Sequence, residues 1–137
     1  MIDKLEFLDT TFLIDLRLQN PNLASIIKDL DNKGIHGVPS IVAHEFYFGG
    51  FNSDSPDEIK YRSAILKQFS IKEFDKEAAY LGAKIESRMK EKGITVGRAD
   101  VMIAATILSN GGSAIYTRNV KDFQKIEGLE VITWEGM

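Results

Sequence analysis

Four acidic positions in this chain could carry chemistry. They are Asp9 at the end of the apolar run LEFL, Glu45 in SIVAHEF, Asp100 in VGRADVMIAA, and Asp122 in TRNVKDF, where Asn119 stands three residues earlier. Each has an ordinary explanation: Asp9 and Asp100 could simply cap helices, and Glu45 and Asp122 could face solvent. What sets them apart is their place, just after short apolar stretches of strand type or at the mouth of the most apolar helix. Carboxylates gathered at such places repel one another and take up protons unless a cation sits among them. Hard oxygen donors without cysteine or histidine suit Mg²⁺ or Mn²⁺ rather than zinc.

Elements must hold those residues together. LEFL reads as a short buried strand, and TFLIDLRL, directly after Asp9, as a helix turning Phe12 and Leu16, with Ile14 and Leu18, toward the core. Pro21 restarts the chain, and NLASIIKDLDNKG carries Leu23, Ile26, Ile27 and Leu30 at helical spacing up to a stop at Gly34. IHGVP is a second strand, and Ser40 is placed to cap a helix IVAHEFYF that ends at Gly49 and Gly50. A helix from Ser55 or Asp57 to about Phe69 and a strand IKEF follow. Next come an amphipathic helix from Asp75 to Gly93 and a mostly apolar one from about Arg98 to Asn110. AIYT, a helical turn around VKDFQKI, and LEVIT close the chain. Short apolar strands separated by helices predict a mainly parallel sheet covered on both faces, a three-layer α/β/α sandwich. Ligand sites in such sheets lie at the carboxyl ends of the strands.

With 137 residues, 44% of them apolar and 27% charged, a single domain over 1–137 is expected. The absence of cysteine excludes disulfides, thiolate metal sites and cysteine nucleophiles. VMIAATIL is far shorter than the roughly 20 residues of a membrane span, and the amino terminus lacks a signal-peptide shape. A soluble cytoplasmic protein with no membrane partner is therefore expected. The net charge of −3 argues against gripping nucleic acid over the whole surface, so local cations would have to do that work.

LDTTFLIDL, SIVAHE, GRADVMIAA and YTRNVKDF, in this order and at these separations, resemble the PIN-domain ribonucleases. The likeness is greatest to the VapC toxins of prokaryotic toxin–antitoxin pairs and runs from Leu5 to about Trp134. It implies a Mg²⁺- or Mn²⁺-dependent endoribonuclease in which Asp9, Glu45 and Asp100 form the acidic core and hold the metal. The family's fourth acidic position commonly falls directly after Thr-Arg, where this chain has the neutral Asn119. Asn119 could still coordinate through its side-chain oxygen, or Asp122 could supply the missing carboxylate. Thr10, Ser40 and Thr117 match polar positions that lie beside the acidic cluster in the family. Arg98, Arg118, Lys121 and Lys125 flank the acidic motifs and are the candidate RNA contacts, with an ordinary solvated cation as the alternative for each. The resemblance also implies a cognate antitoxin whose tail occupies the cleft, and a homodimer. Two other readings stand beside it: a housekeeping RNA-processing nuclease of the same family, and a binding module that keeps the fold without turnover.

Other signals lead nowhere. His44-Glu45 does not open a zinc-protease helix, because Phe48 stands where the second histidine is needed. No G-x-x-x-x-G-K-[ST] or G-x-G-x-x-G loop is present. Thr11 takes the place of the second aspartate that haloacid-dehalogenase-like phosphotransfer requires. His36 and His44 read as core or surface residues. Asp15, four residues after Thr11, faces either the site or solvent. Phe46, Tyr47 and Phe48 crowd more aromatic surface onto one helix than a core face needs, which permits an interface.

Overall fold

The computed structural model describes residues 5–31 and 36–134. Within them β1 (Glu6–Leu8), β2 (His36–Pro39), β3 (Ser70–Lys72), β4 (Ala114–Tyr116) and β5 (Glu130–Ile132) form one sheet in the order β3-β2-β1-β4-β5. Every pairing is parallel, so the expected α/β sandwich stands, with a sheet that is parallel throughout. The chain fills one side of β1 first, through β2 and β3, and then crosses to the other side through β4 and β5. That reversal makes the carboxyl ends of β1 and β4 the switch point, where an open crevice forms.

β1 is buried at all three positions because it is covered on both faces. Phe7, at its centre, lies between two glycines. A Cβ on Gly37 would stand 2.9 Å from the ring, and one on Gly112 only 2.6 Å from it. Nothing larger fits beside that ring, and Gly37 is also its partner in the β1–β2 register.

The helix α1 (Thr10–Arg17) buries Phe12 and Leu13 and leaves Ile14 and Leu16 partly covered. Phe12 meets Tyr116 and Trp134 edge-on, with ring centroids 6.3 and 5.4 Å away. The expectation for Leu18 fails: it follows the last turn of the helix and is 70% exposed. A 3₁₀ turn at Pro21–Leu23 leads into α2 (Ala24–Asp31), and the expected stop at Gly34 lies outside the described residues. His36 is a structural residue, its Nε2 2.8 Å from the Leu30 carbonyl oxygen.

The helix α3 (Ser40–Phe51) does not end at Gly49 and Gly50 but runs through both. The glycines make room for Arg62 of α4 (Glu58–Leu66), which packs over the Phe46 ring and donates to the Phe46 carbonyl. α4 starts behind Asp57 and is shorter than the expected span to Phe69. Arg17 and Arg62 both bond Glu58, tying α1 and α4 together beside α3 and holding the Glu58 carboxyl below its ordinary range. α5 (Lys76–Glu91) is capped by Asp75, whose side chain accepts from the Ala78 amide, and it packs along α6 (Arg98–Ser109). α7 (Val120–Phe123) is a single turn after β4. Among the described residues no helix is long and apolar enough to cross a membrane.

Candidate active site

The acidic residues gather at the carboxyl ends of β1 and β4. Asp9 continues the β1–β4 ladder, its amide donating to the Tyr116 carbonyl. It occupies the N-cap position of α1 without making a capping bond, so the simple capping explanation does not hold. Its Oδ2 instead accepts from the Thr117 hydroxyl at 2.6 Å and from the Thr11 hydroxyl at 3.2 Å. Asp9 is only 5% exposed. Burial pushes its carboxyl above the ordinary range, and the Thr117 hydroxyl, with the Thr10 and Thr11 groups beside it, pulls back toward the ionised form.

Asp100 sits in the first turn of α6, three residues beyond the N-cap Gly97, and so is not a cap either. Its carboxyl is pushed up to about 6, first by partial burial and then by the charges of Asp9, Asp122 and Glu45, in that order. Those three positions come from the end of β1, from α7 and from α3. The sheet therefore brings together four of the acidic positions named from the sequence. Thr10 donates to Glu45 Oε1 at 2.8 Å and links α1 to α3. Asn119 turns its amide nitrogen toward Asp100 Oδ2, 3.5 Å away, and favours the ionised carboxylate there. Toward Asp100 it is the side-chain nitrogen, a donor, that faces the carboxylate. Asp122 is one of the three carboxylates that Asp100 feels, and with Asp100 itself they make four.

The other named residues have surroundings of their own. The Ser40 hydroxyl accepts from the Phe74 amide and fastens the end of β2 to the segment after β3; it makes no cap, and no bond joins it to the acidic cluster. Arg98 is held in a two-pronged pair with Glu86, which favours both charges. Arg118 reaches Asp15, 3.3 Å from its Oδ2. Lys125 donates to the Thr95 carbonyl and stands 3.9 Å from Asp122. Lys121 is exposed. Three of the four cations are thus engaged within the chain.

Two residues escaped the sequence reading. Thr11 receives the Arg118 amide on its hydroxyl while donating to Asp9; its position two residues after a strand-end aspartate was the only signal. Asp15 faces neither site nor solvent but is buried, with Trp134, Asn20 and Arg118 around one of its oxygens.

Among the described residues no three acidic or histidine side chains already stand in ligand geometry about one point. The cluster is adjacent and mutually repelling rather than a finished cage.

The model of the family described as PIN domain matches residues 7–129, from β1 to the approach to β5. The chain belongs to the PIN-domain family. As a PIN domain it has relatives whose names carry function. It is 45% identical to a Rickettsia felis protein named Ribonuclease VapC1 over 65 residues, 47% of this chain and 48% of that relative. It is 26% identical to a Salmonella typhimurium protein named tRNA(fMet)-specific endonuclease VapC over 98 residues, 71% of this chain and 74% of the other. The matched stretch thus spans about half of the first relative and three-quarters of the second. Among solved structures, DNA-bound VapBC from Salmonella typhimurium superposes on this PIN domain with a TM-score of 0.85 at 22% identity. That superposition covers 96% of this chain and 98% of the other and extends the likeness in fold across nearly all of it.

Proposed function

We propose that this chain is a divalent-metal-dependent endoribonuclease, the toxin of a VapBC-type pair, acting on RNA in the cytoplasm. The observation that carries the reading is Asp100, whose carboxyl is pushed up to about 6 by burial and by the charges of Asp9, Asp122 and Glu45. Excess negative charge made only of oxygen donors is an environment that a hard cation relieves. Mg²⁺ or Mn²⁺ fits that donor set, with Asp9, Glu45 and Asp100 as its ligands and Asp122 supplying the fourth charge. When bound, the cation would supply an activated water and neutralise charge on the phosphodiester. The chain's own residues do the rest. Thr117 and Thr11 fix the Asp9 carboxylate, Thr10 fixes Glu45, and Asn119 holds Asp100 toward its ionised form.

The names of the relatives make tRNA the first substrate class to try. A cognate antitoxin as partner follows the same kinship, because the neighbouring structures are VapBC complexes. Phe48 and Phe51, exposed at 63% and 74% on α3, are apolar enough to belong to a homodimer contact; a monomer by light scattering would remove that part.

The deciding experiment pairs metal binding with cleavage. Wild type should gain about 2.7 kcal/mol at Mn²⁺ near a hundred times its Kd, raising Tm by roughly 5 to 11 °C, and should cleave tRNA. Asp100→Asn should lose both, with cleavage down at least about a hundredfold. Metal-independent cleavage, or an unchanged Asp100→Asn enzyme, would refute the reading.

A further inference from the structure

Asp15 is a buried charge that the acidic cluster does not use. Asn20 Nδ2 at 3.1 Å, Trp134 Nε1 at 2.7 Å and Arg118 Nε at 3.3 Å all converge on its Oδ2. Because one of the three is a guanidinium, the set includes a charge-assisted contact, stronger than a bond between neutral groups. Its three partners come from three segments: the turn after α1, the turn after β4 and the segment after β5. Two of them would serve to close the core. The third, Arg118, stands between two residues of the acidic site.

Arg118 is gripped at two points by one face of α1. Its amide donates to the Thr11 hydroxyl at 2.9 Å, and its guanidinium pairs with Asp15, one helical turn farther along. On one side of it Thr117 donates to Asp9, and on the other Asn119 donates to Asp100. The Asn119 amide in turn donates to the Thr117 hydroxyl at 2.9 Å, so residues 117 to 119 move as one unit. Shifting that unit by an ångström would misalign both carboxylates together.

We propose that Asp15 is a positioning residue: it anchors Arg118, and through it the 117–119 turn that sets Asp9 and Asp100 relative to one another. This rests on the nuclease reading above. It also assigns Arg118 to the protein scaffold, where the sequence had offered it to RNA.

The test uses the full chain, Mn²⁺ and a tRNA(fMet) transcript, with Asp15→Asn, Arg118→Gln and the double variant. Asp15→Asn keeps an acceptor for Trp134 and removes the charge; Arg118→Gln removes the same contact from its half-exposed side and leaves the core bonds of Asp15 in place. Each variant should lower kcat by about tenfold or more with KM for the RNA unchanged. The double variant should be no worse than the poorer single, as for two ends of one contact. In both singles hydrogen exchange at the Asn119 amide should quicken, while amides in β1 stay protected. A loss confined to KM, losses that multiply in the double variant, or unaltered kcat would overturn the proposal. Should Asp15→Asn fail to fold, the kcat and KM of Arg118→Gln decide alone. An inert wild type is a different result, and it overturns the nuclease reading together with this one.

Discussion

Thr117 donates its hydroxyl to Asp9 Oδ2 at 2.6 Å, across 108 positions of sequence. The bond spans the switch point of the sheet, from the residue after β1 to the residue after β4. It links the two central strands by a side-chain contact just beyond the last paired residues, Leu8 and Tyr116. A buried carboxylate without that donor would keep its desolvation cost and lose its shortest partner.

Thr117→Val, which keeps shape and removes the hydroxyl, should therefore destabilise the protein by about 1–3 kcal/mol at neutral pH. The bond favours the ionised form of Asp9, so the loss should shrink in acid, where Asp9 is protonated. Thr117→Ser should stay close to wild type. Urea unfolding at two pH values measures this, and a Thr117→Val loss independent of pH would contradict it.

Asp100 predicts an unusual pH dependence for the metal-free protein. Its folded carboxyl is raised from 3.8 to about 6, so the folded chain binds that proton more tightly than the unfolded chain does. Between those values the folded state holds the extra proton, and stability falls as pH rises. Above about 6 the full cost is present; below the unfolded value it is gone. Asp9 is raised as well and adds in the same sense. Asp100→Asn, measured by thermal unfolding in EDTA, should thus be more stable than wild type at neutral pH, with the gain fading toward about pH 4. An equal difference at both ends would remove the electrostatic account.

Gly49→Ala should reverse sign with its background. A Cβ there would lie 2.5 Å from Arg62 Nη1, so the guanidinium must withdraw, taking Nη1 from the Phe46 carbonyl and Nε from Glu58. Losing those bonds costs about 1–3 kcal/mol, against a helix-propensity gain of about 1 kcal/mol. The single variant should be less stable than wild type. In an Arg62→Ala background the same change should stabilise, and denaturant midpoints of the four proteins would settle it.

The parts of the fold legible in the sequence are those with local signatures. Alternating apolar strands and capped helices give the five strands and most helix limits, and Asp75 caps α5 as its position suggests. Asp9 and Asp100 stood out because a strand end and an apolar helix mouth are themselves local. What the sequence hid depends on distant partners. Gly49 and Gly50 read as a stop, and only Arg62, across the α3–α4 contact, explains why the helix continues through them. The pairs that Arg98 and Arg118 make with Glu86 and Asp15 were hidden too, because those partners are 12 and 103 positions away from them. Asp15 was ambiguous for the same reason: helical spacing gave its direction, while Trp134, 119 positions on, determines that it is buried.

The placement of β1 between β2 and β4 also sets when the acidic cluster can form. Its β2 partner is made early, with Phe7 opposite Gly37, but the other edge waits for Ile115. Until β4 has left the ribosome, Asp9 has neither its strand neighbour nor Thr117, and Asp100 lacks the turn carrying Asn119 and Asp122. Pairings this distant in sequence form late because the loop must close first. The acidic cluster is in this way a late product of folding, complete only when Phe7 has paired with Ile115 and the Thr117 hydroxyl has reached Asp9.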